Sequence, residues 1–191
     1  AALERGERRE IDGHEVGLAP EGLETLSLAD DETVRWKAVE EVSRHQTPDE
    51  LLRFELASGR TIRATKAHSF VTRQGGKLAP VRGDALSEDD YLPVIGTYSP
   101  SEAKIDIDSF EPVASDGGAV FEGQDGSSAV VGTADWDQIE SIETVSSEHD
   151  HVYDFSVEGL ETFTTADGVV THNTMNTFHY AGVAEIDVTQ G

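Results

Sequence analysis

No cysteine occurs among the 191 residues. Disulfides, thiolate zinc centres and a cysteine nucleophile are therefore excluded for the chain as it stands. Lysine is nearly as scarce: Lys37, Lys66, Lys77 and Lys104 make four, against ten arginines. These 14 bases face 38 acidic residues, for a formal charge of −24. Nucleic acid phosphates and anionic membrane surfaces are repelled by such a chain. Long hydrophobic runs are also missing. None approaches the roughly 18 residues of a membrane-spanning helix, and no signal peptide opens the chain. No nucleic acid and no membrane partner is expected, and the expected location is cytoplasmic. Helical periodicity is scarce too; residues 48–52 offer a single helical turn at most.

The acidity that is present is spread along the whole chain rather than gathered in a tail. This composition resembles that of proteins from salt-loving archaea, which work in molar potassium. Self-repulsion reaches about 30 Å at 0.01 M salt but only about 3 Å at 1 M. High salt is accordingly expected as a condition of folding. The length suits one domain, or one domain plus a tail, with room for a sizeable core.

Short alternating runs dominate the chain. Val34, Trp36 and Ala38 alternate with charged neighbours, as in a half-buried strand. Leu52, Phe54 and Leu56 repeat the pattern, Ser58-Gly59 turns, and 61–65 returns as a hairpin. Residues 69–73 form another strand before a Gly75-Gly76 turn. From 96 to 134 the text becomes rich in Ser, Gly and Asp with weak periodicity, which reads as a long loop or insertion. Strand patterns resume at 136–142, 152–157 and 162–165, and Asp167-Gly168 makes a tight turn before Val169-Val170-Thr171. The expected class is all-β with many short strands.

Three places carry chemistry. Thr65 and His68 lie three apart across a turn, so their side chains converge on one point. One can hold a carbonyl oxygen while the other protonates a departing amide nitrogen. Asp154 sits inside the apolar strand 152–157, where an inward carboxylate needs partners. His172-Asn173-Thr174 closes the strand pattern. The Asn173 side-chain amide can cyclise onto its own carbonyl and break the chain, His172 can bond that carbonyl, and the Thr174 hydroxyl can accept an acyl group. His149-Asp150-His151 offers two imidazoles on one face, but lacks a third ligand; no metal and no cofactor is expected.

In this order and spacing, the three places resemble the blocks of an intein, a protein-splicing element of the Hedgehog/intein (HINT) family. Residues 59–70 look like its Thr-x-x-His block, 152–157 with Thr162-Phe163 like its Tyr-Asp block, and 169–173 followed by Thr174 like its downstream junction. Gly83-Asp84 also fits the segment after the first block. The resemblance covers 1–173 and implies a horseshoe-like β fold with pseudo-two-fold halves. It also implies self-splicing: an upstream acyl shift aided by Thr65 and His68, transfer to Thr174, then Asn173 cyclisation with His172 as proton donor. Residues 174–191 resemble a segment of the archaeal RNA polymerase largest subunit, its A″ piece. The expected partners are thus the chain's own flanks in that polymerase, and a monomer is expected.

Departures from the family pattern matter. Ala1-Ala2 stands where the family has Cys or Ser, so the first nucleophile is missing at Ala1 or Ala2, whichever is the junction residue, and a splicing-inactive precursor is expected. Glu161 holds a place usually taken by His. No homing-endonuclease dodecapeptide appears, and 96–134 lies where that domain would be inserted, so a mini-intein without nuclease is implied. A Hedgehog-like autoprocessing domain lacks the terminal His-Asn plus hydroxyl. A plain acidic β-sandwich binding module predicts no bond cleavage at all.

Self-repulsion at −24 makes salt the first thing to vary. Circular dichroism is expected to show a poorly ordered chain in dilute buffer and a folded β domain in molar potassium chloride. An identical spectrum and melting point at low and molar salt would contradict this.

Overall fold

The computed structural model of the protein describes residues 9–11, 14–19, 22–95, 130–174, 182–184 and 189–190. Among them the architecture is all-β, with a single 3-10 turn at Gly83–Ala85 and no α-helix. Every ladder is antiparallel, as short strands joined by tight turns require.

Two long strands organise the rest. β1 (Arg9–Ile11), β2 (His14–Leu18) and β3 (Leu23–Leu28) lead into β4 (Thr33–Gln46). The first half of β4 pairs with β3 and with β10 (Val130–Thr133), and its second half with β2 and β12 (His151–Val157). In like manner β11 (Asp135–Ser146) pairs first with β9 (Tyr91–Val94) and then with β5 (Glu50–Leu56). A seven-stranded sheet runs β1-β2-β4-β3-β15, with β10 and β12 also on β4 and β15 formed by Thr189–Gln190. A four-stranded sheet runs β6-β5-β11-β9, with β6 at Thr61–Ala64. A third, also of four strands, runs β13-β14-β7-β8, from Thr162–Thr164, Val170–His172, Ser69–Gln74 and Lys77–Arg82.

Local sequence explains most of these elements. In β5, Leu52, Phe54 and Leu56 are buried while Arg53 and Glu55 are half-exposed, the two-residue period of a strand. The β7–β8 hairpin turns on Gly75 and Gly76, whose φ values of 59° and 79° suit a two-residue loop. Four phenylalanines, Phe54, Phe70, Phe155 and Phe163, come from all three sheets and are enclosed in the main core, with leucines and valines of the first two sheets around them.

The structure differs from the sequence reading at three points. Residues 48–52 make no helical turn: β5 starts at Glu50, because Leu51 and Leu52 are both buried and β5 is claimed on both sides by β6 and β11. Ala38, expected inward with Val34, is exposed, and Val39 is buried instead. Val34 belongs to the second core cluster and Val39 to the main one, so the two halves of this long strand bury opposite faces. Finally, the last part of the 96–134 stretch is sheet: Val130–Thr133 pairs with β4, and Ala134 is buried in the second core cluster. Residues 96–129 lie outside the described residues.

One join uses side chains where a ladder would use backbone. The Thr162 hydroxyl accepts the Leu28 N–H at 2.8 Å and donates to the Leu28 carbonyl at 3.0 Å. Two residues on, Thr164 Oγ1 donates to the Leu26 carbonyl at 2.7 Å. These bonds hold β13 against β3 in a buried place, where unpaired backbone groups are costly. Thr162→Val is therefore expected to lower the unfolding free energy by about 3 kcal/mol, since it orphans two backbone groups at once. Thr162→Ser keeps the hydroxyl and recovers most of the loss. Urea denaturation in molar potassium chloride measures both, and equal stability of the Val variant and the parent would refute the role of these bonds.

Candidate active site

The Thr65–His68 turn follows β6 directly. The His68 N–H donates to the Thr65 carbonyl at 3.1 Å, which closes the turn and sends the chain into β7. Gly83 and Asp84 brace it from outside: their N–H groups donate to the carbonyls of His68 at 2.8 Å and Lys66 at 3.0 Å. A Cβ at Gly83 would lie 3.1 Å from the Phe70 ring and 3.4 Å from the Thr65 carbonyl, so only glycine fits without movement.

His68 is fully buried, with the edges of Phe70 and Phe163 against its ring. Its Nε2 is 2.6 Å from Thr171 Oγ1, and that hydroxyl donates its own proton to the Ser69 carbonyl at 2.8 Å. A hydroxyl has one proton to give, so His68 Nε2–H must be the donor in its bond. Nδ1 is then a bare acceptor, and it has no partner among the described residues. Burial pushes the imidazole down to about 3, with the nearby His172 adding to the effect, so the ring is neutral at neutral pH.

β14 carries the other half of the site. Thr171 reaches His68, and the next residue, His172, turns to the chain's own downstream bond. His172 Nδ1 is 2.7 Å from the Asn173 carbonyl oxygen. A carbonyl only accepts, so Nδ1 carries the proton. On the far side of the ring, Nε2 is 3.5 Å from Glu161 Oε2. The Glu161 carbonyl also accepts the Asn173 N–H at 2.8 Å, so one residue positions both the imidazole and the asparagine.

Asp154 closes the site from β12. Its carboxylate is 2 % exposed. Oδ1 accepts the Phe155 N–H at 2.9 Å, and Oδ2 accepts both the Thr174 N–H at 2.7 Å and the Thr174 hydroxyl at 2.5 Å. Burial raises this carboxyl from its ordinary 3.8 to about 7, against the lowering effect of those donors. Asn173 and Thr174 are themselves buried. The Asn173–Thr174 peptide thus has an imidazole N–H on its carbonyl and a carboxylate on its amide.

The arrangement gathers His68, Asp154, Glu161, His172, Asn173 and Thr174 from four stretches of chain. Thr65 is different. Its hydroxyl accepts the Gly182 N–H at 3.2 Å, and its own N–H donates to the Gly182 carbonyl at 3.0 Å. Ala1 and Ala2 lie outside the described residues. Two participants were not legible in the sequence. Thr171 meets a partner 103 positions away, and Gly182 one 117 away. Val169, Val170 and Thr171 are all fully buried, so no alternation marks the threonine as special. Among the described residues, no group of three or more His, Asp or Glu side chains is placed to hold a metal ion, and no helix is long and apolar enough to cross a membrane.

Residues 7–173 match the intein splicing domain family. The chain belongs to that family. The fold agrees. The crystal structure of the transcription factor IIB Mvu mini-intein is similar with a TM-score of 0.62 at 20 % identity, over 86 % of this chain and 79 % of that one. The solution structure of the Pab PolII intein gives 0.61 at 18 %, over 88 % and 84 %. Both likenesses extend to the all-β HINT fold expected from the sequence. Among curated relatives, DNA-directed RNA polymerase subunit Rpo1C of Methanocaldococcus jannaschii is 71 % identical over 56 residues, 29 % of this chain and 6 % of that protein. The DNA polymerase II large subunit of Halobacterium salinarum is 30 % identical over 154 residues, 76 % of this chain and 10 % of that protein. The intein chain therefore spans only a small part of the length of either relative.

The raised Asp154 has a measurable consequence. A carboxyl at about 7 in the fold and near 3.8 unfolded binds more proton when native across that interval. Stability from this group is present below the unfolded value and is lost as pH rises through about 7. Measured in molar salt, the unfolding free energy of the parent relative to Asp154→Asn should fall between pH 4 and 7 by on the order of 4 kcal/mol. A flat difference would show that Asp154 is not buried as described.

Proposed function

We propose that this intein domain splices itself out of a longer chain at a downstream junction between Asn173 and Thr174. The observation that carries the reading is the double grip on that one peptide bond: His172 Nδ1–H on the Asn173 carbonyl, and the Asp154 carboxylate on the Thr174 N–H and hydroxyl. A polar turn of ordinary kind has no reason to bury a carboxylate against both polar groups of one threonine.

The steps follow from these contacts. At the upstream bond, a hydroxyl or thiol attacks the carbonyl. Neutral His68, with Nδ1 bare, takes the attacking group's proton and passes it to the departing nitrogen, while Thr65 supports the carbonyl oxygen. Asp154, when ionised, accepts the Thr174 hydroxyl proton as that oxygen takes over the acyl group, so this transfer rises with pH through about 7. Asn173 Nδ2 then attacks the Asn173 carbonyl carbon, a five-membered imide forms, and the bond to the Thr174 nitrogen breaks. His172 Nδ1–H stabilises the oxyanion, and the proton that Asn173 Nδ2 sheds on attack passes through the His172 imidazole to the departing nitrogen. The ester finally rearranges to an amide. Each bond broken is replaced by another, so no outside energy source is needed; holding the reacting groups in one buried site speeds the steps, and such positioning is worth an effective molarity of roughly 10⁵–10⁸ M. Ala1 and Ala2 carry no nucleophilic side chain, so these two residues do not supply the first attack, whereas Asn173 cyclisation requires none.

The flanks are read as RNA polymerase sequence. The likeness to Rpo1C runs over 56 residues, longer than the 18 residues of 174–191, and so includes chain beyond that segment. No nuclease role is assigned to 96–134.

The reading is tested on the chain as it stands, folded in molar potassium chloride and followed by mass spectrometry. The expected products are 174–191 and a fragment ending at Asn173 that is lighter by one water than the hydrolysis product, as an imide is. Asn173→Ala should abolish both. Glu161→Ala, which frees the far side of His172, should slow release by roughly 10-fold, less than the 10²–10⁴ expected from loss of a proton-transfer group itself, and Glu161→Gln should recover part. An intact bond after long incubation across pH 6 to 9, or equal cleavage in Asn173→Ala, would overturn the proposal.

A further inference from the structure

Two sheet edges face each other beside the active site. Among the described strands, β12 pairs with β4 and β6 with β5, which leaves the other edge of each without a partner strand. Between them lie three residues from beyond the Asn173–Thr174 bond, Gly182, Val183 and Ala184. Val183 bridges both edges at once, opposite Ala64 on β6 and Tyr153 on β12. Tyr153 and Val183 exchange N–H to carbonyl bonds at 2.9 Å, and the Ala184 N–H donates to the Arg63 carbonyl at 3.0 Å. The segment thereby satisfies backbone groups of both edges and joins two sheets into one surface. The Val183 side chain is fully buried in the main core, and Ala184 packs with Leu51 and Val152. The slot is narrow: a Cβ at Gly182 would stand 2.9 Å from the Tyr153 carbonyl oxygen and 3.1 Å from its nitrogen.

The same strand occupies Thr65. Gly182 uses both its N–H and its carbonyl on that residue. Only one strand fits between the two edges, and while it is there the Thr65 N–H is spent on the Gly182 carbonyl and cannot reach another. We propose that the gap between β6 and β12 is a strand-docking site, and that its occupant Gly182–Ala184 competes with the upstream segment for Thr65. Pairing to two sheet edges gives affinity, the buried valine gives selectivity, and the glycine is required by the close approach to Tyr153. Docking of the downstream flank withholds Thr65 from the upstream bond until the strand leaves. The competition rests on the reading of Thr65 given above; the docking site rests on the pairing alone.

Hydrogen exchange of the Asn173→Ala chain, which keeps its downstream segment attached in molar salt, tests the site. The amides of Thr65, Tyr153 and Val183 should exchange together, at least about 10-fold faster than interior β4–β5 amides such as Val42 and Phe54, because strand departure is a local opening. Exchange of all of them only with global unfolding would overturn an exchangeable strand. Gly182→Val should then raise Thr65 and Tyr153 exchange by a further 100-fold or so, with β4 and β5 unchanged. A peptide with the sequence of residues 180–186 should bind this variant and restore protection, and a peptide with Val in place of its Gly should not; no rescue counts against the site. For the competition, a chain extended upstream, with cysteine at the junction, is cleaved with hydroxylamine. Cleavage at least about 10-fold faster with Gly182→Val supports it, and equal rates refute it. Absence of upstream cleavage in both chains would refute the role of Thr65 and the competition with it, while the exchange result decides the docking site by itself.

Discussion

A carboxylate without water is the constraint on which the site depends. Asp154 is enclosed by the core, so it must find donors or take up a proton. It finds three, and two of them belong to Thr174. This fixes where the chain goes after Asn173 and sets the Asn173–Thr174 amide beside a group poised near neutrality. That bond is thus held by the same interaction that makes burial of the acid tolerable.

β14 transmits this order to the other half of the site. It is three residues long, yet successive side chains meet different partners: Thr171 sets the tautomer of His68, and His172 engages the Asn173 carbonyl. Its pairing with β13 and β7 fixes both rings relative to each other, and β13 is secured to β3 by threonine hydroxyls. A shift in either ladder would move both contacts at once. His68, Asp154, Asn173 and Thr174 are all buried, and His68 Nδ1 has no partner among the described residues.

Acidic charge is distributed differently from the chemistry. Some of the negative side chains lie on strand faces that alternate with the core, as with Glu40 and Glu55. Some are tied to arginines. Glu32, at the unusual φ of 62°, is gripped by the Arg73 fork and by Trp136 Nε1–H, with the guanidinium stacked 4.3 Å over the indole ring. Exposed pairs of this kind contribute little each, and they weaken with salt.

The residue order alone determined the class and much of the chemistry. Alternation, glycine turns and the lack of helical period led to an all-β fold, since period and turn geometry are local properties. Asn173, His172 and Thr174 are neighbours in sequence, and the chemistry proposed for them can be read without a fold. Only the tertiary structure decided the rest. Whether Asp154 pointed in or out depended on the pairing of β12 with β4, and Val39 rather than Ala38 is buried because the two halves of β4 face different core clusters. Thr171 on His68, Glu161 on His172 and Gly182 on Thr65 are relations between strands. Two of those three span more than a hundred residues, and a backbone period carries no information about which distant edge a strand will meet.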